Sequence, residues 1–269
     1  LEPLSGTPDP HTHYVRPEAS NTGAAPARTL TALAGPITTT TNGQVIENRD
    51  ITGGRINVAN DDVTIRNVRL TTSDYWGIYQ TPGTRNLRIE HVTLIGKTTC
   101  AGSAMNAGAQ VDDGYIAYSD ISGWPDGLRM GSHDTLAYQN WIHGLATCLT
   151  GDPATETHND GIQLSANATG THATVVGNAV DPHRPNNSGL NSSLYEDGTW
   201  GAVDNNVIIG NWFGTGDYRL RLDGSHTVVA DNEFEAGASF GDVAASPTAT
   251  LERWVGNVRN TGAPVTSPR

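Results

Sequence analysis

The sequence predicts an all-β chain folded as one right-handed parallel β-helix, and three observations carry that prediction. The composition combines 31 glycines and 14 prolines with 36% hydrophobic and only 16% charged residues. That mixture suits short strands and tight turns, whereas disordered chains carry more charge and fewer β-branched residues. No long stretch has helical periodicity; short runs rich in Val, Ile and Thr recur instead, separated by Gly, Asn and Asp. The third observation is that these runs repeat.

One strand type reads Val63-Thr64-Ile65-Arg66-Asn67-Val68-Arg69-Leu70, then Leu87-Arg88-Ile89-Glu90-His91-Val92-Thr93-Leu94. It returns at 115–121, 135–142, 174–180, 207–213 and 227–234, and in a worn copy at 254–258. A shorter strand precedes most copies: Gly77-Ile78-Tyr79-Gln80, Gly108-Ala109-Gln110-Val111, Gly127-Leu128-Arg129-Met130, Gly161-Ile162-Gln163-Leu164 and Tyr218-Arg219-Leu220-Arg221-Leu222. The region around Ser192-Ser193-Leu194-Tyr195 supplies the missing member. Spacings along this series are 31 (Ile78 to Ala109), 19 (to Leu128) and 34 (to Ile162). Such periods mark solenoids or propellers. The shortest spacing is too small for a four-stranded propeller blade, so it is read as a minimal coil and the longer ones as coils with loop insertions. An antiparallel sandwich is the competing architecture.

The organisation follows in order. Residues 1–37 are Pro-rich and contain His11-Thr12-His13 and Ser20-Asn21-Thr22-Gly23; they are read as an N-terminal extension and cap, because the open end of a stacked core needs covering. Residues 38–262 form the β-helix, and residues 263–269 a frayed tail. Each coil is expected to bury inward Ile, Leu and Val against its neighbours, while Asn near a turn hydrogen-bonds along the stack.

The formal net charge of -12 argues against a nucleic-acid partner, which calls for a basic face. No apolar run approaches the ~18 residues of a membrane-spanning helix. No signal-peptide pattern is visible, and a mature secreted chain lacks one in any case. Cys100 and Cys148 occupy similar Thr-Cys contexts; a disulfide between them would fit an extracellular protein, and two buried thiols are the alternative.

The rows, with Asp126-Gly127-Leu128 and His158-Asn159-Asp160-Gly161-Ile162-Gln163, resemble the pectate-lyase-like superfamily of β-helix carbohydrate enzymes. In particular the chain is similar to secreted actinobacterial β-helix repeat proteins from about Asn21 to Gly262. The resemblance implies an extracellular protein with a polysaccharide partner; no residue pattern sets an oligomeric state. The superfamily includes lyases, glycoside hydrolases, epimerases and tailspikes, so the repeat specifies the fold better than the chemistry.

Equivalent positions in a parallel stack lie about 4.8 Å apart, so residues far apart in sequence form ladders. Gln110, Arg129, Gln163 and Arg221 align on one such row, and Asp126 and Asp160 precede the glycine of adjacent coils. His133 follows the first of these strands and His158 enters the second. The connection Ser122-Gly123-Trp124-Pro125 is short between two long neighbours, 96–106 and 144–159. A notch exposing Trp124 and Asp126 is expected there, walled by the cysteine-bearing loops. Each residue has a structural alternative: Asp before Gly also serves as a turn residue, and Trp124 can pack in its turn. Arg219 and Arg221 alternate with Leu220 and Leu222, which predicts exposure of both. The two histidines His11 and His13 lack a third metal partner, and Asp61-Asp62 and Asp112-Asp113 read as turn carboxylates.

Three functions follow, with a polysaccharide lyase as the leading expectation and a glycoside hydrolase or a non-catalytic binding module as the alternatives. A polysaccharide lyase cleaving a uronic-acid polymer needs its substrate carboxylate neutralised by Arg or Ca²⁺, and a base and an acid for the β-elimination. Arg129 with His133 or His158 meets that minimum, and Lys97, the single lysine, or Arg221 offers a substitute. The Ca²⁺-ligand pattern of pectate lyases is absent, so the metal requirement stays open. A glycoside hydrolase would instead use Asp126 and Asp160, on rungs close enough for the ~5–5.5 Å carboxyl separation of retaining enzymes. The Gly-His-Gly and Arg-Ile-Lys segments of polygalacturonases are missing. A non-catalytic module would grip sugar with Trp124, Gln163, Lys97, Arg219 and Arg221 and stack it on Trp76, Tyr79, Trp124 and Trp200.

Overall fold

The computed structural model describes residues 1–97, 106–131, 134–147, 159–165, 172–181, 190–214 and 216–268. They form an all-β chain of parallel strands in two stacked sheets, compatible with a parallel β-helix. One sheet has nine strands: Ile37–Thr38, Ile56–Val58, Trp76–Gln80, Ala107–Val111, Asp126–Met130, Asn159–Ser165, Leu190–Asp197, Tyr218–Leu222 and Gly241–Ala245. The other begins with Thr31–Ala34 and the long strands Val45–Thr52, Thr64–Thr72 and Leu87–Gly96. Beyond Leu87–Gly96 it divides into two arms, of which Gly114–Ala117 and Asp120–Ser122 are the first.

The bend between the arms sits on one residue per coil with left-handed backbone: Asn48, Asn67, His91, Tyr118, Gln139, Gly177, Gly210, Asp231 and Gly256. Asn, Asp and Gly tolerate that conformation best. The following residue turns inward, and in five successive coils it is asparagine: Asn140, Asn178, Asn211, Asn232 and Asn257. Each Oδ1 accepts the backbone N–H of the preceding asparagine or, for Asn140, of Ser119, at 2.9–3.1 Å. The Nδ2 groups donate to backbone carbonyls, including Asn140 to Ile116 O at 3.0 Å.

Period-two alternation along each strand then generates three apolar stacks. Ile56, Ile78, Ala109, Leu128, Ile162, Leu194 and Leu220 align on the nine-stranded sheet. Ile65, Ile89, Ile116, Ala137, Val175, Ile208 and Val229 align on one arm of the other sheet, and Leu70, Leu94, Ile121, Ile142, Val180, Phe213 and Phe234 on its second arm. All are buried, and each large aliphatic side chain contributes about 1.5–3 kcal/mol of burial free energy.

The N-terminal extension makes contacts along the bent corner. Ala25 N–H meets Asn67 Oδ1, Gly23 N–H meets Tyr118 O, and Leu4 N–H meets Gln139 Oε1, all at 2.8 Å. The Tyr14 ring packs edge-on to Tyr138 at 6.3 Å and lies over Gly177 and Gly210. The tail is also less free than expected, because Val265 is buried and its carbonyl accepts from Trp254 Nε1 at 2.9 Å. Among the described residues no helix is long and apolar enough to cross a membrane.

Candidate active site

The register Leu128↔Ile162, Arg129↔Gln163 and Met130↔Leu164 sets Asp126 beside Asp160 at the start of adjoining strands of the nine-stranded sheet. Both strands carry Asp-Gly near their start, and the glycines are needed for close approach. A Cβ on Gly127 would stand 2.4 Å from Gly161 O and from the Ile142 side chain; one on Gly161 would stand 2.5 Å from Ser193 O.

The two carboxyls are almost fully enclosed, at 8% and 3% exposure. Asp126 Oδ1 accepts the backbone N–H of Asp160 at 3.0 Å, and Asp160 Oδ1 accepts a short hydrogen bond from Ser192 Oγ. Burial pushes the Asp126 carboxyl well above the usual carboxylate range; the Asp160 charge adds to the rise, and the Asp160 N–H and Arg129 oppose it. Burial also pushes Asp160 up to about 6, against its hydrogen bond from Ser192 and the charge of Arg221. The two carboxyls interact, so their protons come off in steps that belong to the pair, and burial favours the protonated form of each.

Beside the pair runs an outward row in register: Tyr79, Gln110, Arg129, Gln163, Tyr195 and Arg221. Gln110 Nε2 donates to Asp112 Oδ2 at 2.9 Å, Gln163 Nε2 to Asp197 Oδ2 at 2.8 Å, and Arg129 reaches Ser165 Oγ at 3.4 Å. Arg221 lies 4.0 Å from the centre of the Tyr195 ring, and Arg55 5.4 Å from that of Tyr79. These contacts hold the polar side chains in place across the face.

The structure brings together Asp126, Arg129, Asp160, Gln163 and Arg221. Lys97 is exposed on the connection leaving Leu87–Gly96. His133, His158, Cys100 and Cys148 lie outside the described residues, as does any pairing of the cysteines. Several expectations of exposure need correction: Asp126 is buried rather than displayed in a notch, and Trp76 is buried and packed against Tyr75 and Tyr79 rather than open to a sugar. Trp124 is fully buried rather than displayed in a notch: its ring fills the slot left by Gly77 and Gly108, and Nε1 donates to Asp74 O at 3.3 Å. Arg219 is likewise buried, because the register places it in the row of Gly127, Gly161 and Ser193. There its guanidinium donates to the carbonyls of Glu235, Gly216 and Ala236 at 2.9–3.2 Å.

Sequence reasoning missed Tyr195 as a member of the outward row and Arg55 and Ser192 as partners. The signal for Tyr195 was its place one residue after Leu194, matching Gln163 after Ile162. Among the described residues no group of three His, Cys, Asp or Glu side chains is placed to hold a metal ion. No family model, curated protein or solved structure matches the chain.

Proposed function

We propose that the chain is a secreted right-handed parallel β-helix of the pectate-lyase-like kind that cleaves a polysaccharide by hydrolysis, with Asp126 and Asp160 as its two carboxyl groups. The observation that carries this reading is the buried pair itself: two carboxyls on adjoining rungs, both raised in pKa. Glycoside hydrolysis needs one carboxylic acid that keeps its proton and one carboxylate. Asp126 is the acid, giving its proton to the glycosidic oxygen as the bond from the anomeric carbon breaks. Asp160 is the carboxylate facing the anomeric carbon, and the strand spacing of about 4.8 Å favours a direct nucleophilic role over activation of an intervening water.

A second reading, β-elimination from a uronic-acid polymer, is favoured by the guanidiniums of Arg129 and Arg221 on the adjoining row, which suit a substrate carboxylate. The two separate on incubation with polygalacturonate, alginate, xylan and β-glucan. Hydrolysis yields new reducing ends without absorbance near 235 nm (approximately, the band of an unsaturated uronate), whereas a lyase yields both. Asp126→Asn and Asp160→Asn are expected to lower kcat by about 10²-fold or more. Full activity in either variant overturns the assignment, and no cleavage of any polymer favours a binding module.

A further inference from the structure

We infer that Asn159 is a positioning residue for the carboxyl pair: one buried amide ties the chain entering Asp126 to the chain entering Asp160. Its effect on rate rests on the hydrolase reading; its effect on the titration of the pair does not. Asn159 precedes Asp160 at the start of Asn159–Ser165 and is fully buried. Its Nδ2 donates to Pro125 O at 2.9 Å and, in a short hydrogen bond, to Ala146 O. Pro125 is the residue before Asp126, and Ala146 N–H donates to Trp124 O at 2.8 Å, which closes a ring of contacts around the connection. Asp126 N–H in turn donates to Asn106 O at 2.9 Å.

The backbone ladder alone does not fix this step. Pairing of Asn159–Ser165 with Leu190–Asp197 shifts register between Asn159 and Asp160, so the ladder is irregular where the pair is built. Such a bulge re-aims side chains and disrupts the local ladder; a side chain bonded to two carbonyls restores the lost constraint. The N–H that Asp126 Oδ1 accepts at 3.0 Å belongs to the peptide joining Asn159 to Asp160. Holding Asn159 therefore aims that N–H, and with it the approach of the two carboxyls. The residue type is specific. Two carbonyl oxygens need two hydrogens from one uncharged nitrogen, which asparagine supplies and aspartate or serine does not. That demand also fixes which way the amide faces, leaving Oδ1 buried with no hydrogen-bond partner among the described residues. An unbonded buried acceptor costs free energy, so the donor half of the amide is what holds this side chain in place.

The test follows the carboxyls directly, by NMR titration of the aspartate side chains, beside kinetics on whichever of polygalacturonate, alginate, xylan or β-glucan the protein cleaves. Asn159→Ala should uncouple Asp126 from Asp160, so that each follows a single-site curve. It should also lower kcat by about 10²-fold with KM within about twofold. Asn211→Ala removes a comparable amide at the bent corner, one that donates to Val175 O and Ile209 O at 2.9 and 3.1 Å. That variant should lose melting temperature to a similar extent and keep both kcat and the carboxyl titration of the wild type. Asn159→Ser, with one donor on a shorter arm, should fall between alanine and wild type, and it decides the matter if the alanine variant does not fold. A wild-type titration or a wild-type kcat in the folded Asn159 variants, or the same changes in Asn211→Ala, overturns the inference. Failure of the wild type to cleave any of the four polymers overturns the hydrolase reading, and the titration then still decides the role of Asn159.

Discussion

Two corners of the molecule solve the same hydrogen-bonding problem with different residues. At the bent corner of the larger sheet, Asn178 Oδ1 accepts from Asn140 N–H and its Nδ2 donates to Ala137 O and to Asn211 Oδ1. At the edge of the nine-stranded sheet, Asp126 accepts from Asp160 N–H and Asp160 from Ser192 in the same rung-to-rung manner. Asparagine brings its own donor and no charge, so its ladder closes at little cost. Aspartate supplies only the acceptor half and must be desolvated, which raises its pKa. A neutral side chain would stabilise the stack better than a buried carboxyl pair does.

The comparison breaks most severely if the acidic solution is moved to the neutral corner. Asn178→Asp removes the donor to Ala137 O and sets a carboxylate against Asn211 Oδ1; a loss of about 4 kcal/mol is expected at neutral pH, partly recovered on acidification, as read from denaturant midpoints. The reverse exchange, Asp160→Asn, keeps the acceptor and removes the charge. Because the folded carboxyl holds its proton more tightly than the unfolded one, the contribution of Asp160 to stability is fully present below the ordinary carboxylate pKa and is lost as pH rises through about 6. The variant should lose that contribution to the slope, keep the one from Asp126, and gain about 2 kcal/mol at neutral pH. The outside of the neutral corner should be more forgiving. Tyr14→Ala should cost about 1–2 kcal/mol of lost packing. Gly210→Ala should cost about 1 kcal/mol, because its left-handed φ of 67° disfavours a side chain and the new Cβ would stand 2.5 Å from the Tyr14 ring. Thermal melts of the two single variants and the double variant separate these contributions.

The apolar stacks were legible because alternation fixes Ile78, Leu128 and Ile162 facing inward whatever the loops between them do. The juxtaposition of Asp126 and Asp160 was legible for the same reason, since aligning the Asp-Gly pairs aligns the carboxyls. Trp124 was misplaced because the slot that takes its ring comes from Gly77 and Gly108 on preceding rungs, a vacancy no local pattern displays. Arg219 was misplaced because strict alternation fails at the strand entrance, where the row is otherwise glycine or serine. The path of the extension was not legible, because nothing in its own residues reveals that Tyr14 fits over glycines far along the chain.

That extension alters how the stack comes apart. In a solenoid whose repeats touch only their neighbours, stability is a sum of local pieces and fraying can begin at any weak interface. A strap anchored from Asn67 to Gly210 makes the opening of one middle coil break contacts that also hold others. The coils beneath the strap are thereby expected to melt together as one cooperative unit.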